Sequence, residues 1–211
     1  MKCIIPPKPL TEKQEEKQKK KYIRENDKIL KFADHLQLLS LHENLGFGIK
    51  RMNAYNDGAF DLGQWYIERY STEKDHDKEY AVTSYFAMRQ ELIMIGWNPD
   101  DRLWEDDIFE TFLPDKNSAK MRLQHTARLE YAKGISFYVR EMLCITAIWL
   151  HHEKGIGQER LDRVFKPVVK EYLDLMRHYL RCNLEGDTAM VKKIAEARKK
   201  FNDMGLFKEE R

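Results

Sequence analysis

The 211-residue chain is 42% hydrophobic and 34% charged, a composition typical of a soluble helical protein of one or two domains. A net charge of +2 is too small to indicate a polyanionic partner by itself, and no segment approaches the roughly 18 apolar residues of a membrane span. No apolar signal-peptide core follows Met1, and Cys3, Cys144 and Cys182 lack the spacing of a metal or redox motif. We therefore expect a cytoplasmic protein without a metal or cofactor.

The first segment, residues 1–21, is a basic lead-in. Helix-forming residues dominate positions 11–31, but no apolar stripe begins before Tyr22. The pattern predicts a solvated or frayed helix, and it leaves open an arm that contacts nucleic acid.

Two short segments of the chain resemble each other. The sequence LHENLGFGIKRM begins at Leu41, and LHHEKGIGQERL begins at Leu150, 109 positions later. The same offset also aligns two helical stripes of apolar residues in the sequence. The stripes are Ala81, Tyr85, Met88, Leu92 and Ile95, and Met190, Ile194, Ala197, Phe201 and Met204. This shared offset predicts an internal duplication.

The duplication predicts an all-α fold built from two three-helix units. The units span residues 22–98 and 131–211, and an acidic linker at 99–130 joins them. We expect the first helix of each unit to end at Gly46 or Gly155, where glycine takes the left-handed conformation. The second helix should begin at Gly48 or Gly157, and the sequence Asn-Asp-Gly at 56–58 is expected to interrupt it in the first unit.

The two glycine turns, 46–48 and 155–157, resemble the turn of helix-hairpin-helix DNA-binding modules. In those modules an apolar residue plugs the hairpin, and the glycines expose the backbone N–H groups that bind a phosphate. The resemblance implies nucleic-acid contacts by the glycines and by the cations that follow them. These residues are Gly46, Gly48, Lys50, Arg51, Gly155, Gly157 and Arg160.

An alternative for the same turns is purely structural. The proline that usually precedes the first glycine of such modules is missing, and Glu159 stands where the first turn has Lys50. In this interpretation the glycines form tight turns between packed helices, while Arg51 and Arg160 cap helices or form ion pairs. If φ were positive at Gly48 and Gly157, valine at either position should destabilise the hairpin.

The linker contains acidic and aromatic residues in alternation. A partner-binding surface is predicted at Asp100, Asp101, Trp104, Asp106 and Asp107, with Ile108 and Phe109 beside them. Such a mixture suits a basic groove with apolar pockets, as nucleic-acid-binding proteins offer. The alternative is that Trp104, Ile108 and Phe112 pack the linker onto the helical core.

The phrase LHENLGFGIKRM resembles a motif of small uncharacterised phage and prophage proteins of Firmicutes. The resemblance implies a protein that acts in a bacterial host cell, either as a DNA-transaction accessory or as an inhibitor of a host defence complex of the anti-CRISPR type. No Walker-type loop, nucleophile elbow or zinc motif occurs in the sequence, so we expect a non-catalytic binding protein.

Overall fold

The computed structural model describes residues 11–70, 79–98, 108–113, 119–181 and 188–205. These residues are predominantly helical and include no strand, as the sequence predicted. Six α-helices follow in order: α1 (Glu12–Leu45), α2 (Ile49–Tyr70), α3 (Glu79–Ile95), α4 (Ala119–Lys154), α5 (Gln158–Arg181) and α6 (Thr188–Asp203). A short 3₁₀ helix, Ile108–Phe112, lies between α3 and α4.

The long helices α1 and α4 run parallel and in register through the centre of the molecule. Two contacts fix this arrangement: the rings of Tyr22 and Tyr131 lie 5.1 Å apart, and Gln37 Nε2 donates to Thr146 Oγ1 at 2.8 Å. In both pairs the partners are 109 positions apart, as in the predicted duplication. Because the two contacts are separated by the same number of residues in each helix, neither helix can run in the opposite direction.

The remaining helices pack across the two predicted units. Helix α1 packs against α5 and α6 of the second unit, and α4 packs against α2 and α3 of the first. Helix α2 runs antiparallel to α4, since Tyr55 contacts Trp149 while Gly63 faces Ile145. The predicted units therefore contribute to one continuous hydrophobic core.

The order of helices is the same in both halves, and at the offset of 109 their ends agree within two residues. Among the described residues, the four glycines with positive φ obey it: Gly46 pairs with Gly155, and Gly96 pairs with Gly205. Each closes a helix, as the sequence predicted for Gly46 and Gly155, because glycine adopts the left-handed conformation without the steric cost of a Cβ atom. Superposition of the halves stays a prediction.

One local prediction was wrong. The Asn-Asp-Gly sequence at 56–58 does not interrupt the second helix, because α2 continues from Ile49 to Tyr70. Gly58 has a different role, in packing: a Cβ atom there would lie 2.1 Å from Trp149 Nε1. The missing side chain lets the indole of α4 lie directly against α2, and this tertiary contact overrides the turn propensity.

Candidate nucleic-acid interface

The two glycine turns have the same backbone hydrogen bonds. Gly46 N–H donates to His42 O at 3.0 Å and Phe47 N–H to Leu41 O at 3.4 Å. In the second turn, Gly155 N–H donates to His151 O at 3.0 Å and Ile156 N–H to Leu150 O at 3.1 Å. The bond from each glycine N–H reaches four residues back, as in the αL C-cap motif, and the bond from the next residue reaches six residues back. Together the two bonds satisfy carbonyl groups in the last turns of α1 and α4, where the chain reverses.

Each turn is anchored by a buried apolar side chain, as predicted. Phe47 is 3% exposed and Ile156 is 7% exposed. The Phe47 ring meets Trp149 edge to face, with 6.5 Å between ring centroids, so the first turn is attached to the end of α4. Lys154 also contacts this indole, with Nζ 4.9 Å from the centre of the Trp149 ring.

A histidine side chain forms a hydrogen bond across each turn. Nδ1 of His42 lies 2.7 Å from Phe47 O, and Nδ1 of His151 lies 3.1 Å from Ile156 O. Since a carbonyl oxygen can only accept, Nδ1 carries the hydrogen in both rings. Each bond crosses the turn to the carbonyl that precedes the second glycine, and sequence reasoning missed it.

The second glycine of each turn leaves the start of the next helix open. Met52 N–H and Leu161 N–H donate to Gly48 O and Gly157 O, at 3.0 and 3.1 Å. Within the described residues, the N–H groups of Ile49 and Lys50 that precede Met52 have no acceptor. Nothing lies within 4 Å of a Cβ position built on Gly48 or Gly157. These helix starts therefore offer uncovered backbone donors at the positive end of a helix dipole.

Valine at Gly48 or Gly157 was expected to destabilise the hairpin only if φ were positive there, and this is not the case. φ is positive at Gly46 and Gly155 and not at Gly48 or Gly157. Because both second glycines face open space in an ordinary backbone conformation, a side chain there causes neither strain nor collision. The conformational requirement lies at the first glycine of each turn, and the second glycine only keeps the helix start uncovered.

The predicted basic residues are exposed beside these helix starts. Lys50, Arg51 and Arg160 all lie in the first turn of α2 or α5, and all are exposed. The structural alternative would pair these cations with acidic side chains. The described residues provide no ion-pair partner for any of the three. The second turn is less basic than the first, because Glu159 lies in it and accepts from Arg163 Nη2 at 3.1 Å.

The parallel central helices bring the two turns to the same end of the molecule. Gly46 and Gly155 each lie nine residues beyond the contact between Gln37 and Thr146. At 1.5 Å per residue, both turns are about 13 Å further along helices that run in the same direction. The sequence predicted each turn separately, whereas their placement at one end is a property of the fold.

A buried polar cluster holds this register. Gln37 Nε2 donates to both Tyr55 Oη, at 2.6 Å, and Thr146 Oγ1, at 2.8 Å, while Thr146 also donates to Met142 O at 2.7 Å. Burial raises the pKa of Tyr55 to about 12, so the phenol stays protonated at neutral pH. A shift of either central helix by one turn would bury these polar groups without partners, which costs about 1–3 kcal/mol per group. Sequence reasoning missed this cluster.

The predicted acidic surface lies outside the described residues. Asp100, Asp101, Trp104, Asp106 and Asp107 all fall between Asn98 and Ile108. The apolar residues after them are buried: Ile108, Phe109 and Phe112 lie in the core, against α4 and α5. Ile108 and Phe109 are therefore not free to dock into a partner, in contrast to the prediction that placed them in the interface.

No protein family, curated protein or solved structure matches the chain. The resemblance to phage proteins therefore stays a prediction. None of the helices, as far as the structure describes them, is both long and apolar enough to cross a membrane.

Proposed function

We propose that this protein is a non-catalytic nucleic-acid-binding protein that contacts the phosphate backbone with both glycine turns at once. The observation that carries the proposal is the register of α1 and α4, which places both turns at the same end. At one end of the molecule, two helix starts with open N–H groups and neighbouring cations can each bind a phosphate.

The chemistry of the turns favours contact with phosphates over the reading of bases. Backbone N–H groups bind an anion without distinguishing one nucleotide from another, and Lys50, Arg51 and Arg160 add charge in the same helical turns. The expected binding is independent of sequence and sensitive to salt. Phage DNA accessories, which the motif at Leu41 resembles, need such binding and no catalytic group.

The alternative is an inhibitor of a host defence nuclease that docks its acidic segment into a basic groove. It depends on Asp100, Asp101, Trp104, Asp106 and Asp107, none of which is among the described residues. The open helix starts favour the first proposal, because an inhibitor that binds through the acidic segment has no need of them.

Aspartate at the second glycine of both turns tests the proposal. In the double variant Gly48→Asp/Gly157→Asp, each carboxylate caps the N–H groups that would otherwise bind phosphate, and it also repels the nucleic acid. We expect the melting temperature to stay equal or rise by a few degrees, since aspartate is a better N-cap than glycine and interacts favourably with the helix dipole. Affinity for duplex DNA, measured by fluorescence anisotropy, should fall at least tenfold.

A control with the same change in charge separates local from general electrostatic effects. Gln64→Glu/Ala195→Glu also adds two negative charges, at exposed positions well inside α2 and α6. We expect this variant to lose much less affinity than the aspartate variant. Equal losses in the two variants would show that the turns have no special role, and unchanged affinity in both would contradict the proposal.

A further inference from the structure

A groove lies between α1, α5 and α6, on the side of the molecule where α6 packs against α1. It has a volume of about 480 Å³ and an apolar floor that includes Leu36, Leu39, Val168 and Ala197. The rim is polar: Lys193 forms an ion pair with Glu171 at the mouth, and Asn44 lies at the end nearer the first turn. A site of this size and composition can hold one large apolar side chain with polar groups around it.

At the offset of 109, the helices that correspond to α1, α5 and α6 are α4, α2 and α3, and a side chain of the protein itself lies between α4 and α2. At the offset of 109, Ser40 in the groove corresponds to Trp149, and Pro167 corresponds to Gly58. Trp149 is 5% exposed, and its indole lies against Gly58 between α4 and α2. By this correspondence, the indole between α4 and α2 marks the place that the groove leaves open between α1 and α5.

Two small residues account for the difference. Ser40 replaces the indole, and Ala197 stands where the first half has Met88, which is fully buried. The hydroxyl of Ser40 already has partners within the protein, because it donates to Val164 O at 2.6 Å and accepts from Asn44 Nδ2 at 2.9 Å. It makes no demand for a polar ligand, so the floor of the groove is apolar in practice as well as in composition.

We infer that this groove binds the aromatic side chain of a partner protein, in the place that Trp149 fills in the other half. An indole of this chain packs against the same helix pair where the space is filled, so the shape of the site suits a planar aromatic group. The polar rim suits the peptide groups on either side of such a residue. Buried aromatic anchors of this kind dominate the affinity of protein interfaces. This inference does not depend on the nucleic-acid proposal, since no glycine turn lines the groove.

The test uses N-acetyl-tryptophanamide as a probe, with chemical shifts of backbone amides measured by NMR during titration. We expect saturable shifts centred on Ser40, Val168 and Ala197, and much weaker effects with N-acetyl-leucinamide. Free indole should bind more weakly than the capped amino acid, because it lacks the peptide groups that meet the rim. Indole binding as tightly as the capped amino acid would indicate a small-molecule site and overturn the inference of a protein partner.

Two variants reproduce the filled half. Ser40→Trp supplies the indole from within, and Ala197→Met supplies the side chain of Met88 at the corresponding position. Both should abolish the saturable shifts, and Ala197→Met, the smaller change, decides the matter if Ser40→Trp does not fold. Shifts that persist in Ala197→Met, or that spread over the whole surface of the wild-type protein, would overturn the inference.

Discussion

The first glycine of each turn is the position where the backbone tolerates a substitution least. Gly46 has φ of 65° and Gly155 has φ of 61°, and no atom would collide with a Cβ at either position. The cost of alanine there is therefore purely conformational, about 1–2 kcal/mol for each residue forced into the left-handed region. Neither space nor hydrogen bonding changes, so the substitution isolates this single effect.

We expect Gly46→Ala and Gly155→Ala each to lower the free energy of unfolding by about 1–2 kcal/mol, since the hydrogen bonds that close each helix require a left-handed residue there. For a protein of this length, each kcal/mol corresponds to a fall in melting temperature of roughly 2–4 °C. The double variant should show the sum of the two losses, because no contact links the glycines directly. Urea denaturation monitored by circular dichroism measures all three variants.

Gly48→Ala and Gly157→Ala are the matched controls. Their φ values are not positive and their surroundings are open, so only the modest preference for glycine over alanine at an N-cap should be lost. If alanine at Gly48 destabilised the protein as much as alanine at Gly46, the assignment of the two roles within each turn would be refuted.

Two further substitutions test the interior. Gly58→Ala should destabilise the protein by about 1–3 kcal/mol in thermal unfolding, because the new methyl group collides with the Trp149 indole; a neutral result would refute the close approach of α2 and α4. Tyr55→Phe should cost about 1 kcal/mol at pH 7 through lost hydrogen bonds. In the wild-type protein the pKa of Tyr55 is about 12, above the value near 10 of an unfolded tyrosine. The contribution of Tyr55 to the free energy of unfolding therefore falls as pH rises from 10 to 12, because the phenol ionises first in the unfolded chain. The stability difference between wild type and Tyr55→Phe should therefore shrink across that window, and a constant difference would contradict the raised pKa.

Local features of this fold were predictable from the sequence, because their causes are local. A glycine after a helical apolar stripe favours a left-handed cap, and both Gly46 and Gly155 adopt one. The buried plugs, Phe47 and Ile156, followed from the same short motif. The periodicity also predicted the three-helix order of each half, since it records which face of a helix is buried.

Features that depend on distant partners were not predictable. Periodicity does not say which helix covers a buried face, so the packing of α1 against α5 and α6 had no signal in the sequence. Gly58 looks like a turn residue until Trp149, 91 positions away, is placed against it. The bond between Gln37 and Thr146 likewise joins two polar residues that stand in otherwise apolar stripes, where nothing distinguishes a central contact from an exposed position.

The salt dependence of duplex DNA binding tests the nucleic-acid proposal most directly. Each phosphate neutralised by a cation contributes about −0.9 to the slope of log affinity against log salt concentration. With Lys50, Arg51 and Arg160 engaged, we predict a slope of about −3, and a slope closer to zero for Gly48→Asp/Gly157→Asp. Undetectable binding at low salt, or the same slope in wild type and in the aspartate variant, would contradict the proposal.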